Sequence, residues 1–205
     1  EGKAAAQYQL GELLYEARGV ARDLDASRRW ATQAADQGHA RAQYRIASMQ
    51  LLGEAGPRDA PAGLALFKKC VPALTKEAEG GLADAQGKLG FLFARGVGVK
   101  QDAAAAAEWF SKAAKQGNIK AQADLASAYL LGQGVTANPT EAGRWFTLAA
   151  KAGYGPAMIP LATLELQGLG RRQNLKAGKQ WLMKAAALKH PMYSQRAETL
   201  LERLA

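Results

Sequence analysis

Cysteine is nearly absent from this sequence of 205 residues, since Cys70 is the only one. One cysteine excludes an intramolecular disulfide and a cysteine-based metal cluster. It is compatible with a reducing compartment and with an exported protein that uses no disulfides. Histidine is also scarce, and no Ser/His/Asp or Cys/His arrangement or carboxylate pair stands out. The sequence therefore predicts no catalytic residue, no metal site and no cofactor.

Proline and β-branched residues are few, whereas alanine is abundant, which favours helices over strands. No apolar stretch is long enough to span a bilayer. The chain begins Glu1-Gly2-Lys3, without an initiator methionine or a charged-then-apolar leader. A signal peptide removed earlier would leave no trace, so the first residues do not decide the compartment.

Acidic residues are the minority, and the formal net charge is +9. Residues 85–120 hold six basic and two acidic residues, and residues 157–205 hold eight and three. The densest cluster comprises Arg171, Arg172, Lys176 and Lys179. Two interpretations stay open for it: a solvated edge, or a contact for an acidic partner. No aromatic residues interleave with these cations, so we do not expect nucleic-acid binding.

An internal repeat accounts for nearly the whole chain. Units open at Ala6, Ala42, Ala85, Ala121 and Ala157, in steps of 36, 43, 36 and 36 residues. Four of them carry a tryptophan 24 residues after the first alanine: Trp30, Trp109, Trp145 and Trp181. The second unit has seven additional residues within 68–77. They form either an extension of a helix or a protruding element that shapes a partner site.

Each unit is predicted to be a helical hairpin. The first helix has apolar residues at spacings of three and four and ends in a glycine-rich loop. An Asp or Asn then caps the second helix, as Asn138-Pro139 does in the fourth unit. Two columns of small residues, seven apart on the second helix, let the partner helix approach closely. One of these columns contains Cys70, which we expect to be buried and unreactive. His39 and His190 are expected in turns between units.

The pattern resembles a known family. Leu89-Gly90, Gly96-Val97-Gly98-Val99, Asp102, Trp109-Phe110 and Gly117 together look like the Sel1-like repeat, which is tetratricopeptide-like and commonly bacterial. The resemblance implies an all-α fold, a right-handed α/α superhelical solenoid of five Sel1-like helix-hairpin repeats plus a C-terminal capping helix. It implies one domain over residues 1–205, with repeats at 4–39, 40–82, 83–118, 119–154 and 155–190 and a cap at 191–205.

The resemblance also implies a partner-binding site, because in such superhelices the first helices line the concave face. The outward positions should be two, six, nine and ten residues after each first alanine. An apolar and aromatic stripe there is typical of an interaction site, although several members could instead pack between repeats. The candidates are Tyr8, Glu12, Tyr15, Tyr44, Ser48, Leu51, Phe91, Arg95, Ser127, Leu130, Thr163 and Leu166.

The leading functional hypothesis is a non-enzymatic adaptor or scaffold that holds a protein or peptide in its concave groove. One alternative is an immunity-type protein that neutralises a secreted bacterial toxin. Another is an enzyme or small-ligand binder with a pocket in the groove, because catalytic groups can converge from distant positions. The resemblance implies a periplasmic or otherwise exported protein, with a cytoplasmic one as the alternative. Secreted relatives often clamp each hairpin with paired cysteines, which this chain lacks. The sequence leaves the oligomeric state open.

Overall fold

The computed structural model describes residues 2–16, 19–188 and 190–204, and within these residues all regular structure is helical. The helices are α1 (Gly2–Glu16), α2 (Leu24–Asp36), α3 (Ala40–Leu52), α4 (Ala60–Glu79), α5 (Ala83–Arg95), α6 (Ala103–Lys115), α7 (Ile119–Leu131), α8 (Pro139–Lys151), α9 (Gly155–Gln167), α10 (Leu175–Ala186) and α11 (Pro191–Glu202). The odd-numbered helices up to α9 are the first helices of the five hairpins, and the even-numbered ones are the second helices. The expected α-solenoid of five hairpins followed by a capping helix is confirmed.

Contacts divide the chain into two compact units, Glu1–Asp102 and Ala103–Ala205, called unit 1 and unit 2 below. Unit 1 contains α1 to α5, and unit 2 contains α6 to α11. In unit 1, α1 packs on α2 and α3 packs on α4, and α2 and α4 each pack on the first helix that follows. Unit 2 repeats this order from α6 to α10, and α11 packs on α10.

Helix ends follow the capping residues that the sequence shows. The side chains of Asp23, Asp59, Asn138 and Asn174 each accept a hydrogen bond from a backbone N–H three residues later. These bonds satisfy donors that have no partner inside the helix. Four first helices end at a glycine whose backbone is in the left-handed conformation: α3 at Gly53, α5 at Gly96, α7 at Gly132 and α9 at Gly168.

The two small-residue columns are buried, as expected from the sequence. They are Ser27, Gly63, Ala106, Ala142 and Gly178, and Ala34, Cys70, Ala113, Ala149 and Ala185. The first column marks a close approach of two helices: the Ser27 hydroxyl donates to the Gly11 carbonyl at 2.8 Å, and a side chain at Gly63 would meet the Ala47 carbonyl. Burial raises the pKa of the Cys70 thiol to about 11, which disfavours the reactive thiolate.

The additional residues of the second hairpin lengthen its second helix. Helix α4 has 20 residues, whereas α2, α6 and α8 have 13 each, and it continues through Pro72. Leu74 and Ala78, within and just after the inserted stretch, are buried. The additional residues therefore extend α4 and do not form a separate protruding element.

No helix among the described residues is long and apolar enough to cross a membrane. Within the described part of the chain, no group of three His, Cys, Asp or Glu side chains is arranged so that it could hold a metal ion.

Candidate protein-binding face

The outward side chains of α1, α3 and α5 form what we call the first-helix face of unit 1. At its centre, the Arg45 guanidinium on α3 donates to both carboxylate oxygens of Glu12 on α1, at 2.6 and 2.8 Å. The Lys88 ammonium on α5 lies 3.9 Å from the same carboxylate. Three consecutive first helices are therefore joined by one ionic cluster.

A second carboxylate, that of Asp84, accepts several hydrogen bonds near the N-terminal ends of these helices. It accepts hydrogen bonds from the Tyr8 hydroxyl at 2.8 Å, from Lys88 at 2.5 Å and from Arg41 at 3.3 Å. Arg41 also pairs with Glu77 of the lengthened helix α4, at 2.8 Å. The extension of α4 thus contributes a charged group to the face.

The cations of this cluster are more deeply buried than two of its carboxylates. The side chains of Arg45, Lys88 and Arg41 are 7%, 10% and 13% exposed, whereas those of Glu77 and Asp84 are 30% and 37% exposed. The exposed groups at this end are therefore carboxylates, which can accept hydrogen bonds from a basic partner.

Two acidic residues of the cluster, Asp84 and Glu12, stay ionised. Burial alone would raise the pKa of Asp84, but the Lys88 charge and hydrogen bonds from Lys88 and Tyr8 lower it to about 2. Burial acts on Glu12 in the same direction, and there Arg45 and Lys88 outweigh it, so the pKa of Glu12 also lies below its ordinary value. Fixed opposite charges hold the face in one arrangement.

Tyrosine rings fill the space between the ion pairs. Tyr8 is only 2% exposed: it stacks on His39 and lies beneath the Arg41 guanidinium, 4.9 Å from the ring centroid. The Arg45 guanidinium lies 3.7 Å from the centroid of the Tyr15 ring, and the Tyr15 hydroxyl donates to Glu54. A partner could reach Tyr15, which is half-buried, more easily than Tyr8.

Tyr44 and Phe91 form the aromatic part of the face. Their rings meet edge to face with centroids 6.3 Å apart, and Tyr44 also contacts the buried ring of Phe67 at 5.2 Å. Tyr44 therefore belongs partly to the core. Phe91 is half-buried, and the exposed Arg95 lies one turn later with its guanidinium 5.8 Å from the Phe91 ring centroid.

The first-helix face of unit 2, formed by α7 and α9, has a different character. Leu130 and Leu166 are half-buried against the core of that unit, so they pack between hairpins in part. The hydroxyls of Ser127 and Thr163 donate to carbonyls one turn earlier on their own helices. Ser48 does the same in unit 1, where Leu51 is half-buried. The face of unit 2 is aliphatic with small polar groups.

One leucine on each face extends freely into solvent. Leu52 is 64% exposed and Leu131 is 65% exposed, and both lie ten residues after the first alanine of their repeats. They follow Ser48 and Ser127 by one helical turn and therefore share the outward side of the helix with them.

The basic cluster near the C-terminus is less uniform than the sequence indicates. Arg171 pairs with Glu165, and its guanidinium lies where a side chain at Gly143 would be. The Lys179 ammonium donates to the Leu204 carbonyl at the end of α11. Arg172 and Lys176 are exposed. These last two are the members best placed to meet an acidic partner.

Arg41, Arg45, Glu77, Asp84 and Lys88 were missed as site residues by the sequence pattern. Arg45 and Lys88 lie three residues after their first alanines, a position that the rule of outward offsets leaves out. A signal was present: both are basic, and Glu12 in the first repeat has the opposite charge. Long cationic side chains reach sideways along a helix surface, so spacing alone misjudges them.

A model of the Sel1 repeat matches residues 4–39, 40–69, 83–118, 119–154 and 155–190. The chain belongs to the Sel1 repeat family. The second match ends at residue 69, just after the start of the seven-residue excess of the Sel1 array.

Solved structures of similar proteins support the family and the fold. A Sel1 repeat protein from Oxalobacter formigenes is 26% identical with a TM-score of 0.66, over 97% of this chain and 74% of that one. A protective antigen of uropathogenic Escherichia coli with an SLR fold is 32% identical with a TM-score of 0.60, over 90% of this chain and 38% of that one. An immunity protein from Pseudomonas aeruginosa, 21% identical with a TM-score of 0.53 over 91% of this chain and 65% of that one, shares the fold.

One curated relative matches a shorter part. Chitin synthase regulatory factor 3 of Schizosaccharomyces pombe is 37% identical over 118 residues, which is 55% of this chain and 12% of that protein. The chain thus spans about one eighth of the length of this relative and under two fifths of the E. coli antigen.

Proposed function

We propose that this Sel1 repeat chain is a non-enzymatic adaptor that binds a protein or peptide partner on its first-helix faces. Sel1 repeat proteins generally mediate protein–protein interaction. The observation that carries the proposal is the exposure of Leu52 and Leu131, at 64% and 65%, at one repeat position in both units. Apolar surface in water is unfavourable by about 25 cal/mol per Å², so a protein partner that covers these leucines gains binding free energy.

The charges of unit 1 indicate which chemical groups the partner presents. Asp84 and Glu77 are the more exposed members of the ionic cluster, at 37% and 30%, and the cations beside them, Arg41 and Lys88, are 13% and 10% exposed. We expect a bound segment to place a lysine or arginine near these carboxylates and apolar side chains near Phe91 and Leu52. Aromatic and aliphatic contacts of this kind dominate binding energy at interfaces.

The experiment uses the partner captured by the chain from its source cells. Its dissociation constant is measured with the unmodified chain and with Leu52→Glu and Leu131→Glu. Each substitution places a charge on an apolar contact without disturbing the core, so we expect binding at least tenfold weaker and an unchanged circular dichroism spectrum.

Leu64→Glu is the matched control, because Leu64 is 45% exposed but lies on second helix α4. Binding that responds to Leu64→Glu and ignores the other two substitutions would place the site on the second helices and refute the proposal.

Export and a toxin-neutralising role stay predictions for this chain. The immunity protein from P. aeruginosa shares the fold at 21% identity, which by itself transfers no role. Fractionation of the source cell tests export directly: we expect the protein in the periplasmic fraction, and recovery with the cytoplasmic fraction would contradict it.

A further inference from the structure

The same two positions of the first helix are buried in four repeats and exposed in one. Four and seven residues after the first alanine, repeats two to five are 0–7% exposed at Ile46, Leu89, Leu125 and Leu161, and at Met49, Leu92, Ala128 and Leu164. In the first repeat the corresponding residues are Leu10, 38% exposed, and Leu13, 41% exposed. The difference lies in the surroundings, because the residue types are alike.

The second helix of the preceding repeat covers these positions inside the array. Ile46 and Met49 on α3 pack in one cluster with Ala31 on α2. Leu161 and Leu164 on α9 pack with Phe146 on α8 in the same way. Helix α1 follows no second helix within residues 2–204, and Leu10 and Leu13 therefore face solvent.

The loop after α1 also lacks the contact with a preceding second helix that the later loops make. In later repeats the second glycine of this loop lies against the preceding second helix: Gly98 against the backbone of Phe67 and Lys68, and Gly134 against that of Ala103. Gly19, the corresponding residue of the first repeat, has open space around it. Val20 beside it is 48% exposed, a further apolar contribution to the same surface.

The opposite end of the array is closed by a polar helix. Helix α11 occupies the place of a sixth first helix, since Ala197 lies 36 residues after Leu161 and is fully buried. It carries Glu198 where the other first helices have only glycine or alanine, so no second helix can pack there. End repeats of soluble arrays need such a polar outer surface, and α1 does not have one.

The residue type at Gly2 points to what covers α1. Gly38, Gly81, Gly117 and Gly153 stand four residues before the next first alanine, have positive φ and end the turn after a second helix. Gly2 stands four residues before Ala6. Gly2 itself is helical, as the first residue of α1, but it occupies the sequence position at which the other repeats carry the glycine that follows a second helix.

We propose that Leu10, Leu13 and Val20 form the docking surface for the second helix of a further Sel1-type hairpin that precedes Gly2 in the natural polypeptide. This helix packs on α1 as α2 packs on α3. The proposal rests on the repeat geometry and is independent of the proposed function.

The residues encoded before Gly2 give the first test. Ser27, Trp30 and Ala34 lie 15, 12 and 8 residues before Ala42. At the same distances before Ala6 we expect a small residue, a large apolar or aromatic residue and a small residue. Charged residues at the two small positions, or a natural polypeptide that begins too close to Gly2 to supply the helix, would overturn the proposal.

Thiol labelling gives the second test, in the 205-residue chain and in the natural-length polypeptide. Leu13→Cys adds one accessible thiol, since Cys70 is fully buried. We expect its reaction with a maleimide to be at least tenfold slower in the natural-length polypeptide. Leu131→Cys, exposed on α7 of unit 2, is the control and should react equally in both. As a positive control for the geometry, a copy of residues 119–154 joined directly before Ala4 should also protect Leu13→Cys.

Equal labelling of Leu13→Cys in the two natural sequences would refute the proposal. So would concentration-dependent protection in the 205-residue chain alone, because the occupant would then be a second copy. Neither result depends on partner binding at Leu52 and Leu131, so this proposal can fail while the adaptor role stands.

Discussion

At the scale of single residues, the Arg45–Glu12 pair joins α1 and α3 on the candidate binding face. Arg45 and Glu12 form a two-bond pair with side chains 7% and 15% exposed, and Lys88 and Asp84 surround it. Pairing of two buried charges adds little net stability, because desolvation offsets their attraction, but removal of one partner leaves the other charge buried without its hydrogen-bonded counterion. The pair therefore fixes geometry more than it stabilises the fold.

The Arg45–Glu12 pair leads to a stability prediction. Arg45→Met alone should lower the free energy of unfolding by about 3 kcal/mol, since Glu12 keeps a buried charge and only Lys88, 3.9 Å away, remains to offset it. The double variant Arg45→Met with Glu12→Gln should recover most of that loss. Urea denaturation followed by circular dichroism measures both, with exposed Arg95→Met as the control. A double variant as unstable as the single one would show that the loss comes from packing.

His39 makes the first unit sensitive to mild acid. Its Nδ1 accepts a hydrogen bond from the Ala42 N–H at the start of α3, which requires a neutral ring. Burial and the nearby Arg41 charge lower the pKa of His39, although Glu77 and Asp84 act in the opposite direction, and Tyr8 stacks on the ring. A lowered pKa means that the unfolded chain takes up the proton first. Stability from this cap is fully present above about pH 6.5, the ordinary pKa that His39 has in the unfolded chain, and is lost as the pH falls below it through the lowered pKa of the folded chain.

Replacement of His39 tests this pH dependence with a residue that the repeat itself supplies. Asn118 occupies the same position and caps α7 through the Ala121 N–H at 2.9 Å. We expect His39→Asn to keep its stability between pH 7.5 and 5.5 better than the unmodified chain, measured as the shift in urea midpoint. The Asp84 contribution falls outside this range, since its pKa of about 2 affects stability only below about pH 4. Identical shifts in both proteins would exclude His39 as the cause.

At the scale of the elements, the glycine loops hold neighbouring hairpins together. Gly134 has φ 72° and lies so close to α6 that a Cβ would collide with the Ala103 carbonyl. Gly117 has φ 84° in open space. Gly117→Ala should cost about 1 kcal/mol for the left-handed backbone alone, and Gly134→Ala more than about 2 kcal/mol because the hairpins must also separate. Chemical denaturation of the two variants checks the order, and equal losses would mean that the close approach adds nothing.

Helix identity and helix ends could be predicted from the sequence because both depend on local signals. The Asp and Asn caps, the closing glycines and the buried small columns lie where the repeat places them. The ionic cluster could not be predicted in this way. It depends on how far Arg41, Arg45 and Lys88 reach across neighbouring helices, and on Glu77, which a lengthened α4 brings to the face. Repeat spacing predicts neither the reach of these cations nor the position of Glu77.

At the scale of the whole molecule, the positive charge is concentrated towards the C-terminus, where residues 157–205 have eight basic and three acidic residues. Within the cluster of Arg171, Arg172, Lys176 and Lys179, the exposed Arg172 and Lys176 have no structural partner in the described residues, whereas Arg171 and Lys179 have one. If this cluster meets an acidic partner, Arg172→Glu with Lys176→Glu should weaken binding at least fivefold and flatten its salt dependence. Lys115→Glu, also exposed, is the control. Unchanged affinity would identify the cluster as a solvated edge.

The central claim is that the outward sides of the first helices bind the partner. Site-specific photo-crosslinking tests it most directly, with a benzoyl-phenylalanine placed in turn at Leu52, Leu131, Leu64 and Met183. The last two are exposed on second helices, at 45% and 61%. We expect crosslinks to the partner from Leu52 and Leu131 and none from the other two; crosslinks from Leu64 or Met183 alone would contradict the claim.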